Sequence, residues 1–347
     1  MGDAVTDLQP PDVPLADRLT RILEGFPKRR LLVLGDIIAD EFIYGQISRV
    51  SREAPVLILK YDATEILPGG AGNTANNVAS LGARVHLVGL IGTDESGKRL
   101  AESFHDRVER SGLIRTMRYR TPTKTRILAG GVHSVKQQVI RIDREASGDA
   151  SEPVHQIFAR KVLGAASSVD AVLVSDYGYG MVSPPLVRAI RARLLKAGRK
   201  VPILVDSRYD LLRYQGLTTC TPNESEVEHL LDVTIGDRLR ALERAGRELL
   251  KRTRMEAVLV TRGSRGMALF EPKRKTQHIT IFGSDEIADV TGAGDTVIAT
   301  MALALAGGAS FYEAARLANY AGGIVVMKRG TATVSAEELR AAISSER

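Results

Sequence analysis

The chain has 347 residues, of which 44% are hydrophobic and 26% charged, and its formal net charge is +7. A chain of this length buries roughly three-quarters of its unfolded surface, which is enough for a complete enzyme core. No apolar run approaches the ~20 residues that cross a membrane, and the single Cys220 excludes an intramolecular disulfide. We therefore expect a cytoplasmic protein with no secretory signal in residues 1–28 and no membrane partner.

The positive charge is concentrated in residues 107–144. This stretch contains ten Lys or Arg residues against two acidic ones, a balance of +8, so the rest of the chain sums to −1. Only one aromatic residue, Tyr119, lies within it, whereas surfaces that bind single-stranded nucleic acid stack bases on several. We therefore expect a small anionic substrate and no nucleic acid.

In chain order, residues 1–28 are predicted to be an N-terminal extension, either a tail or an added helix over 15–23, before a single domain of residues 29–347. Within that domain, short apolar runs alternate with stretches of helical spacing. The predicted strands are 31–34, 85–91, 171–174, 203–205 and 257–260, and 266–282 indicates a hairpin. The predicted helices are 71–82, 94–110, 184–197, 224–231, 237–252, 294–307, 311–327 and 335–345. This alternation predicts an α/β fold whose mostly parallel central sheet has helices on both faces.

Two segments interrupt this alternation, residues 41–61 and 113–143. Both are β-prone and carry no helix signal, and the second contains most of the positive charge. We predict that they form a small β-sheet lid over the mouth of the main sheet.

The run Asp289–Thr296 (DVTGAGDT) joins small residues to an apolar helix. Small residues let backbone N–H groups converge at a helix N-terminus, which favours anions. Gly292, Ala293 and Gly294 are therefore predicted to stabilise a transferring phosphoryl group, and Asp295 is a candidate base. An Asp at a helix N-terminus is also an ordinary cap, so a purely structural role stays open here.

Together with other motifs, this run resembles the ribokinase/phosphofructokinase-B sugar kinase family over residues 30–345. Within that family the chain looks most like the heptose-7-phosphate kinase branch that serves ADP-heptose and lipopolysaccharide core synthesis. The segments that carry the resemblance are SRVSREAPV (48–56), PGGAGNTANNVASLGA (68–83), QQVIRID (137–143), SDYGYG (175–180), TPNESE (221–226), TRG (261–263), DVTGAGDTV (289–297) and KRGTATVS (328–335).

The resemblance implies a ribokinase-like fold and MgATP as cosubstrate, with Asp295 as the catalytic base. It also implies that Asn223 and Glu226 organise Mg²⁺ through water molecules and bind the ATP phosphates, although the same pair is a capping box in form. Asp289 is a candidate ligand for a monovalent cation such as K⁺. The residues implied for nucleotide binding are Asn223, Glu224, Ser225, Glu226, Thr261, Gly263, Gly266 and Asn319.

For the sugar, the resemblance implies contacts from Asp36, Gly69, Gly70 and Asn73. The lid residues Arg49, Lys124, Arg126 and Arg141 are candidates for a substrate phosphate, because arginine and lysine are the usual phosphate ligands. Asp206-Ser207-Arg208 stands where the branch often has Asp-Pro-Lys, which leaves a phosphate contact from that turn open.

The expected activity is phosphorylation of the anomeric hydroxyl of a heptose 7-phosphate. A kinase for another sugar or sugar phosphate, and a non-catalytic sugar or nucleotide sensor on the same fold, are the alternatives. We also expect a homodimer formed through the lid. Many relatives continue into a nucleotidyltransferase domain with a His-x-Gly-His element, which this sequence lacks. Any adenylyltransfer is therefore expected to belong to a different polypeptide or to lie outside this sequence.

Overall fold

The computed structural model describes residues 14–131, 136–146, 151–283, 289–328 and 330–346. Two sheets contain the strands of this part of the chain. The strands are β1 (Arg30–Gly35), β2 (Ile37–Val50), β3 (Leu57–Gly70), β4 (Arg84–Gly92), β5 (Val108–Glu109), β6 (Leu113–Thr116), β7 (Thr123–Gly130), β8 (Gln137–Arg144), β9 (Ala171–Asp176), β10 (Ile203–Ser207), β11 (Thr219–Cys220), β12 (Ala257–Thr261), β13 (Met267–Phe270) and β14 (Gln277–Ile279).

The helices of the same ranges lie mostly between the strands of the larger sheet. They are α1 (Leu15–Glu24), α2 (Ala71–Ser80), α3 (Glu95–Glu102), α4 (Glu152–Ala165), α5 (Pro184–Lys196), α6 (Glu224–Leu231), α7 (Leu239–Thr253), α8 (Ala293–Ala306), α9 (Phe311–Val325) and α10 (Ala336–Ser345). Among the residues described, no helix combines the length and apolar character that crossing a bilayer requires.

The main sheet has the order β14-β13-β12-β11-β10-β9-β1-β4-β5, with β6 beside β4. Pairing is parallel except between β12, β13 and β14. Successive side chains of a strand point to opposite faces, so Leu31 and Val33 of β1 enter one apolar core while Leu32 and Leu34 enter the other. The predicted α/β fold with helices on both faces is confirmed.

A second, four-stranded sheet has the order β3-β2-β7-β8, and we call it the lid sheet. Its central pair, β2 and β7, is parallel, and each has an antiparallel neighbour at the edge. The lid sheet is larger on one side than predicted, because β2 and β3 extend over 37–50 and 57–70 rather than 41–61. The second predicted lid segment, 113–143, contributes less than expected, because residues 113–116 join the main sheet as β6. Residues 132–135 of the predicted lid lie outside the described ranges.

Two further expectations, and one helix that was not expected, can be compared with the structure. The predicted helix 94–110 is wrong in its second half: α3 ends at Glu102, and Val108, which supported the helical spacing, is buried as part of β5. Helix α4 was not predicted. The added helix expected over 15–23 is present as α1; its Leu19 and Leu23 join the core, and Arg18 pairs with Glu313 of α9 at 2.8 Å.

Candidate active site

A cavity of about 540 Å³ lies where the carboxyl ends of the parallel strands face the lid sheet. This edge of a parallel sheet is the usual ligand-binding position in open α/β folds. Most of the residues predicted from sequence line the cavity. They are Gly70, Lys124, Arg126, Arg141, Asn223, Glu226, Thr261, Gly263, Gly266, Gly292, Ala293, Gly294, Asp295 and Asn319.

Asp295 stands in the first turn of α8 and lines the cavity, although it is only 5% exposed. Its Oδ2 accepts a hydrogen bond from Asn73 Nδ2 at 2.7 Å, and its Oδ1 accepts one from Thr74 Oγ1 at 3.0 Å. Burial raises the pKa of Asp295 to about 6, and the two hydrogen bonds oppose that rise. Asp295 is therefore a carboxylate at neutral pH, but its pKa is close enough to that pH for it to accept a proton.

Gly292 caps α8 in the left-handed region, at φ 76°. A Cβ at this position would lie 2.5 Å from Asn73 Nδ2, so a side chain would displace the amide that contacts Asp295. The amide of Ala293 donates to Val290 O at 3.2 Å. The amides of Gly294 and Asp295 follow in the first helical turn, where no intrahelical acceptor exists. The amide of Ala293 is therefore occupied, whereas those of Gly294 and of Asp295, whose amide was not in the predicted set of Gly292, Ala293 and Gly294, are open to an anion. The predicted contact with a phosphoryl group stays a prediction.

Asp289 lies outside the cavity lining and supports the loop before α8. Its two carboxylate oxygens accept hydrogen bonds from the amides of Thr291 at 2.9 Å and Gly330 at 3.0 Å. Asp289 therefore has a structural role, because it ties the loop before α8 to the segment at Gly330. Its predicted contact with a monovalent cation stays a prediction.

Asn223 and Glu226 form the capping box of α6 and also face the cavity. The Asn223 amide donates to Glu226 Oε2, and the Glu226 amide donates to Asn223 Oδ1, each at 2.9 Å. Burial raises the pKa of Glu226, and burial together with the charges of Glu226 and Asp295 raises the pKa of Asp206 well above its usual range. A cation near these carboxylates would relieve the repulsion that raises the pKa of Asp206. The neighbouring Glu224 and Ser225 lie outside the lining: Glu224 pairs with Arg262 at 2.7 Å, and Ser225 Oγ donates to Asn223 Oδ1.

At one end of the cavity, Thr261, Gly263, Gly266 and Asn319 surround a mainly apolar space. The Asn319 side chain is held there because its Nδ2 donates to Thr280 O at 2.9 Å. Sequence reasoning missed the rest of this wall, which consists of Met267, Ile281, Gly322, Gly323 and Val326.

At the other end, the lid sheet contributes Lys124, Arg126 and Arg141, and the turn after β10 contributes Arg208. Lys124 Nζ lies 5.1 Å from the ring centroid of Tyr177, and Arg141 donates twice to Asp143, at 2.8 Å each. Burial lowers the pKa of Lys124. Three of the four lid cations proposed for a substrate phosphate therefore line this end of the cavity, which we call the cationic end, and their contact with that phosphate stays a prediction. The fourth candidate, Arg49, is not part of it, because it lies exposed near the far end of β2.

The structure places Asp40, and not Asp36, on the cavity wall. Asp36 is buried, and its Oδ2 accepts the amides of Tyr177 at 2.8 Å and Tyr179 at 3.2 Å. Asp40 forms a buried ion pair with Arg126. Gly69 also lies outside the lining, but its Cβ would come within 2.5 Å of Asp40 Oδ2, so the glycine leaves space for that carboxylate.

The sequence analysis left a contact from Asp206 and Arg208 open and did not single out Asp40, Tyr177 or Thr221, and all five residues line the cavity. A usable signal exists for most of them, since four stand at or just after the carboxyl end of a main-sheet strand. Asp40 carries a weaker signal, as a carboxylate among apolar residues of β2. Asn73, predicted as a sugar ligand, hydrogen bonds to Asp295 and lies outside the lining, and its contact with the sugar stays a prediction.

The model of the pfkB family carbohydrate kinases matches residues 28–339. The chain is 40% identical over 314 residues to the bifunctional protein HldE of Geobacter metallireducens, covering 89% of this chain and 61% of that protein. It is 41% identical over 324 residues to the HldE of Proteus mirabilis, covering 92% and 65%. The chain thus spans less than two thirds of the length of either relative.

Among solved structures, the fold is similar to that of Arabidopsis thaliana ribokinase complexed with ribose and ATP. The TM-score is 0.68 at 22% identity, over 91% of this chain and 98% of that one. This likeness identifies the fold as ribokinase-like. The chain belongs to the pfkB family of carbohydrate kinases and is a sugar kinase.

Proposed function

We propose that this sugar kinase transfers the γ-phosphoryl group of ATP to the anomeric hydroxyl of a heptose 7-phosphate, giving the 1,7-bisphosphate for ADP-heptose and lipopolysaccharide core synthesis. One observation carries the proposal: a single cavity contains a buried carboxylate, Asp295, and a cationic end formed by Lys124, Arg126, Arg141 and Arg208. A neutral sugar offers that cationic end no charge to bind, whereas a sugar phosphate does. The likeness to HldE proteins favours a heptose phosphate over other sugar phosphates.

The cationic end supports a phosphate rather than a carboxylate as the second charge of the acceptor. Lys124 and Arg141 come from neighbouring strands of the lid sheet, and Arg208 follows β10 of the main sheet. A tetrahedral phosphate presents oxygens in several directions, and an arginine fork can bind two of them at once. Arg141 would exchange its two hydrogen bonds to Asp143 for bonds to the phosphate. Arg126 already pairs with Asp40, so we assign it to holding that carboxylate toward the sugar hydroxyls.

In the proposed reaction, Asp295 removes the proton of the anomeric hydroxyl as its oxygen attacks the γ-phosphorus. A new bond forms between that oxygen and phosphorus, the bond to the β-phosphate oxygen breaks, and ADP leaves with the electron pair. The amides of Gly294 and Asp295 at the α8 N-terminus stabilise the charge on the phosphoryl oxygens. A positioned base contributes about 10²–10⁴-fold to such a rate.

The residues present fit Mg²⁺, which prefers oxygen ligands and keeps several waters. Within the described ranges, no three His, Cys, Asp or Glu side chains converge as a ready metal centre. Asn223 and Glu226, which line the same cavity as Gly294, would hold the ion through waters. When bound, Mg²⁺ neutralises negative charge on the ATP phosphates. Asp289 remains our candidate for a K⁺ ligand, to be tested by comparing turnover in K⁺ and Na⁺ salts.

A coupled ADP-release assay tests the proposal with D-glycero-D-manno-heptose 7-phosphate, fructose 6-phosphate, ribose and adenosine as acceptors. We expect the highest kcat/KM with the heptose phosphate, and a ³¹P signal coupled to the anomeric proton in its product. Faster turnover of another acceptor would transfer the assignment to that sugar. Binding of ATP and heptose phosphate with no turnover would instead support a sensor.

We also propose that two copies associate through the lid sheet. Its large apolar side chains are exposed to an unusual degree, including Ile47, Val50, Leu57, Tyr61, Ile140 and Ile142. Exposed apolar patches and open sheet edges favour association. Light scattering at micromolar concentration should give twice the chain mass, and Ile140→Lys/Ile142→Lys should give the monomer; a wild-type monomer contradicts this proposal.

A further inference from the structure

A chain of hydrogen bonds runs from helix α8 through helix α2 and back to Asp295. The Thr296 hydroxyl donates to Asn77 Oδ1 at 2.8 Å, and Asn77 Nδ2 donates to Asn73 Oδ1 at 3.0 Å. Asn73 Nδ2 then donates to Asp295 Oδ2 at 2.7 Å. All four residues are buried, with exposures between 0% and 5%.

The direction of these bonds is fixed by the chemistry at each end. A carboxylate only accepts hydrogen bonds, so Asn73 must turn its NH₂ group toward Asp295. Its carbonyl oxygen then faces Asn77 and requires a donor, which is the NH₂ group of that side chain. The oxygen of Asn77 is left for the hydroxyl of Thr296. If the Asn73 amide turned over, its oxygen would face the carboxylate and repel it.

We propose that Asn77 and Thr296 are positioning residues, which lock the amide of Asn73 in the one orientation that donates to the catalytic base. Asn73 itself contacts the base, whereas Asn77 and Thr296 act only through it. The inference rests on the proposed role of Asp295 but not on the identity of the sugar.

The geometry distinguishes this arrangement from ordinary packing of α2 on α8. The NH₂ group of Asn77 donates both of its hydrogen bonds to Asn73, one to the side-chain Oδ1 and one to the backbone oxygen, each at 3.0 Å. Thr296 has a nearer acceptor in Asn77 than in Gly292 O, which lies at 3.3 Å. Its neighbour Thr300 offers a contrast, because that hydroxyl bonds only to the backbone oxygen of Thr296, at 2.8 Å, as buried helical threonines commonly do.

The consequence concerns the protonation of Asp295. A hydrogen bond from Asn73 stabilises the charged carboxylate, and losing it favours the protonated form. The other groups that face Asp295 are Asp40 and Lys124 from the lid sheet, Tyr177 after β9 and Asp206 of β10. None of these is altered by a substitution at Thr296, so a change in the titration of Asp295 reports the hydrogen-bond chain.

The test compares Thr296→Val with Thr300→Val, two isosteric substitutions one helical turn apart at fully buried positions. The acidic limb of the kcat/KM profile should move up by as much as about one pH unit in Thr296→Val, because an Asn73 amide that is no longer locked loses its hydrogen bond to the charged carboxylate. kcat should fall about tenfold while KM for ATP is unchanged. Thr300→Val should match wild type, and Thr296→Ser, which keeps the hydroxyl, should restore both values.

A second measurement needs no sugar. The pH dependence of unfolding in urea reports Asp295 titration, and the Thr296→Val shift should vanish in an Asp295→Asn background. Three results would overturn the positioning role. They are a titration unchanged by Thr296→Val, an equal shift in Thr300→Val, and a shift that persists in the Asp295→Asn background. Failure of wild type to phosphorylate heptose 7-phosphate would refute only the proposed substrate, since the unfolding measurement stands without it.

Discussion

Two buried carboxylates line opposite sides of the cavity and are held in different ways. Asp295, on the main domain, accepts hydrogen bonds from the neutral side chains of Asn73 and Thr74. Asp40, on the lid sheet, is paired with the guanidinium of Arg126. Burial raises the pKa of both. Neutral donors hold a carboxylate while leaving its charge uncompensated, which suits a base that must take up a proton. A cation instead makes protonation costly, which suits an acceptor of sugar hydroxyls.

The largest expected effect comes from Asp295→Asn. This change should lower kcat by about 10²–10⁴-fold, because the base is lost while its hydrogen-bond partners keep an oxygen to bind. The matched control is Asp176→Asn, another buried carboxylate, which bonds to Ser207 and Tyr214 and lies outside the lining. Steady-state kinetics that find equal losses in both variants would remove the distinction between Asp295 and a structural carboxylate.

Removing Arg126, the cation that holds Asp40, should lower the stability of the fold more than it lowers kcat. Arg126→Met removes the cation that pairs with buried Asp40, and breaking a comparable buried pair costs about 3–5 kcal/mol of unfolding free energy. Urea unfolding at pH 7 measures this cost. The double variant Asp40→Asn/Arg126→Met should regain part of the loss, and Arg49→Met, exposed on the same sheet, should stay within about 0.5 kcal/mol of wild type. An unfolding free energy unchanged by Arg126→Met would show that the ion pair makes no net contribution to stability.

The pKa of Asp295 gives a pH-dependent prediction with a definite sign. Its folded value of about 6 lies above the ordinary 3.8, so the folded state binds more protons than the unfolded state between these values. The ionised group therefore destabilises the fold above pH 6, and the penalty disappears as pH falls toward 4. Asp295→Asn should be more stable than wild type by up to about 3 kcal/mol at pH 8, with no difference near pH 4. Parallel stability curves would contradict this assignment.

The smallest predicted effect concerns the sugar end of the cavity. Lys124→Met keeps the apolar stem over Tyr177 but removes the charge, and should raise KM for the sugar phosphate roughly tenfold with kcat little changed. Arg49→Met serves again as the control, because it removes a lid cation away from the cavity. If both variants raise KM equally, long-range attraction rather than contact explains the effect, and the rise should then fade at high salt.

The parts of the site that are local in sequence could be predicted. The run Asp289–Asp295 contains its own loop, helix start and carboxylate, and the capping box Asn223–Glu226 is likewise a short pattern. The parts that depend on distant pairing could not. Asp40 meets Arg126 across 86 positions, and Asn73 meets Asp295 across 222. The resemblance implied a sugar contact for Asn73, and nothing local in the sequence indicates that its NH₂ group bonds to a residue of another helix.

The same limit explains the errors in secondary structure. Residues 94–110 have apolar positions at helical spacing, but Val108 is buried by parallel pairing with β4, which the spacing does not encode. Residues 113–116 are β-prone, as predicted, yet propensity does not specify which sheet a strand joins. In both cases tertiary pairing decided between structures that the local pattern permitted.

The parallel pairing of β2 with β7 has a consequence for synthesis on the ribosome. The hairpin of β2 and β3 is complete at Gly70, but the strand that covers its open edge begins only at Thr123. At ordinary translation rates the intervening segment takes roughly 3–10 s to emerge. During that interval the nascent chain presents an unpaired, partly apolar strand edge, the kind of surface that self-associates or recruits a chaperone.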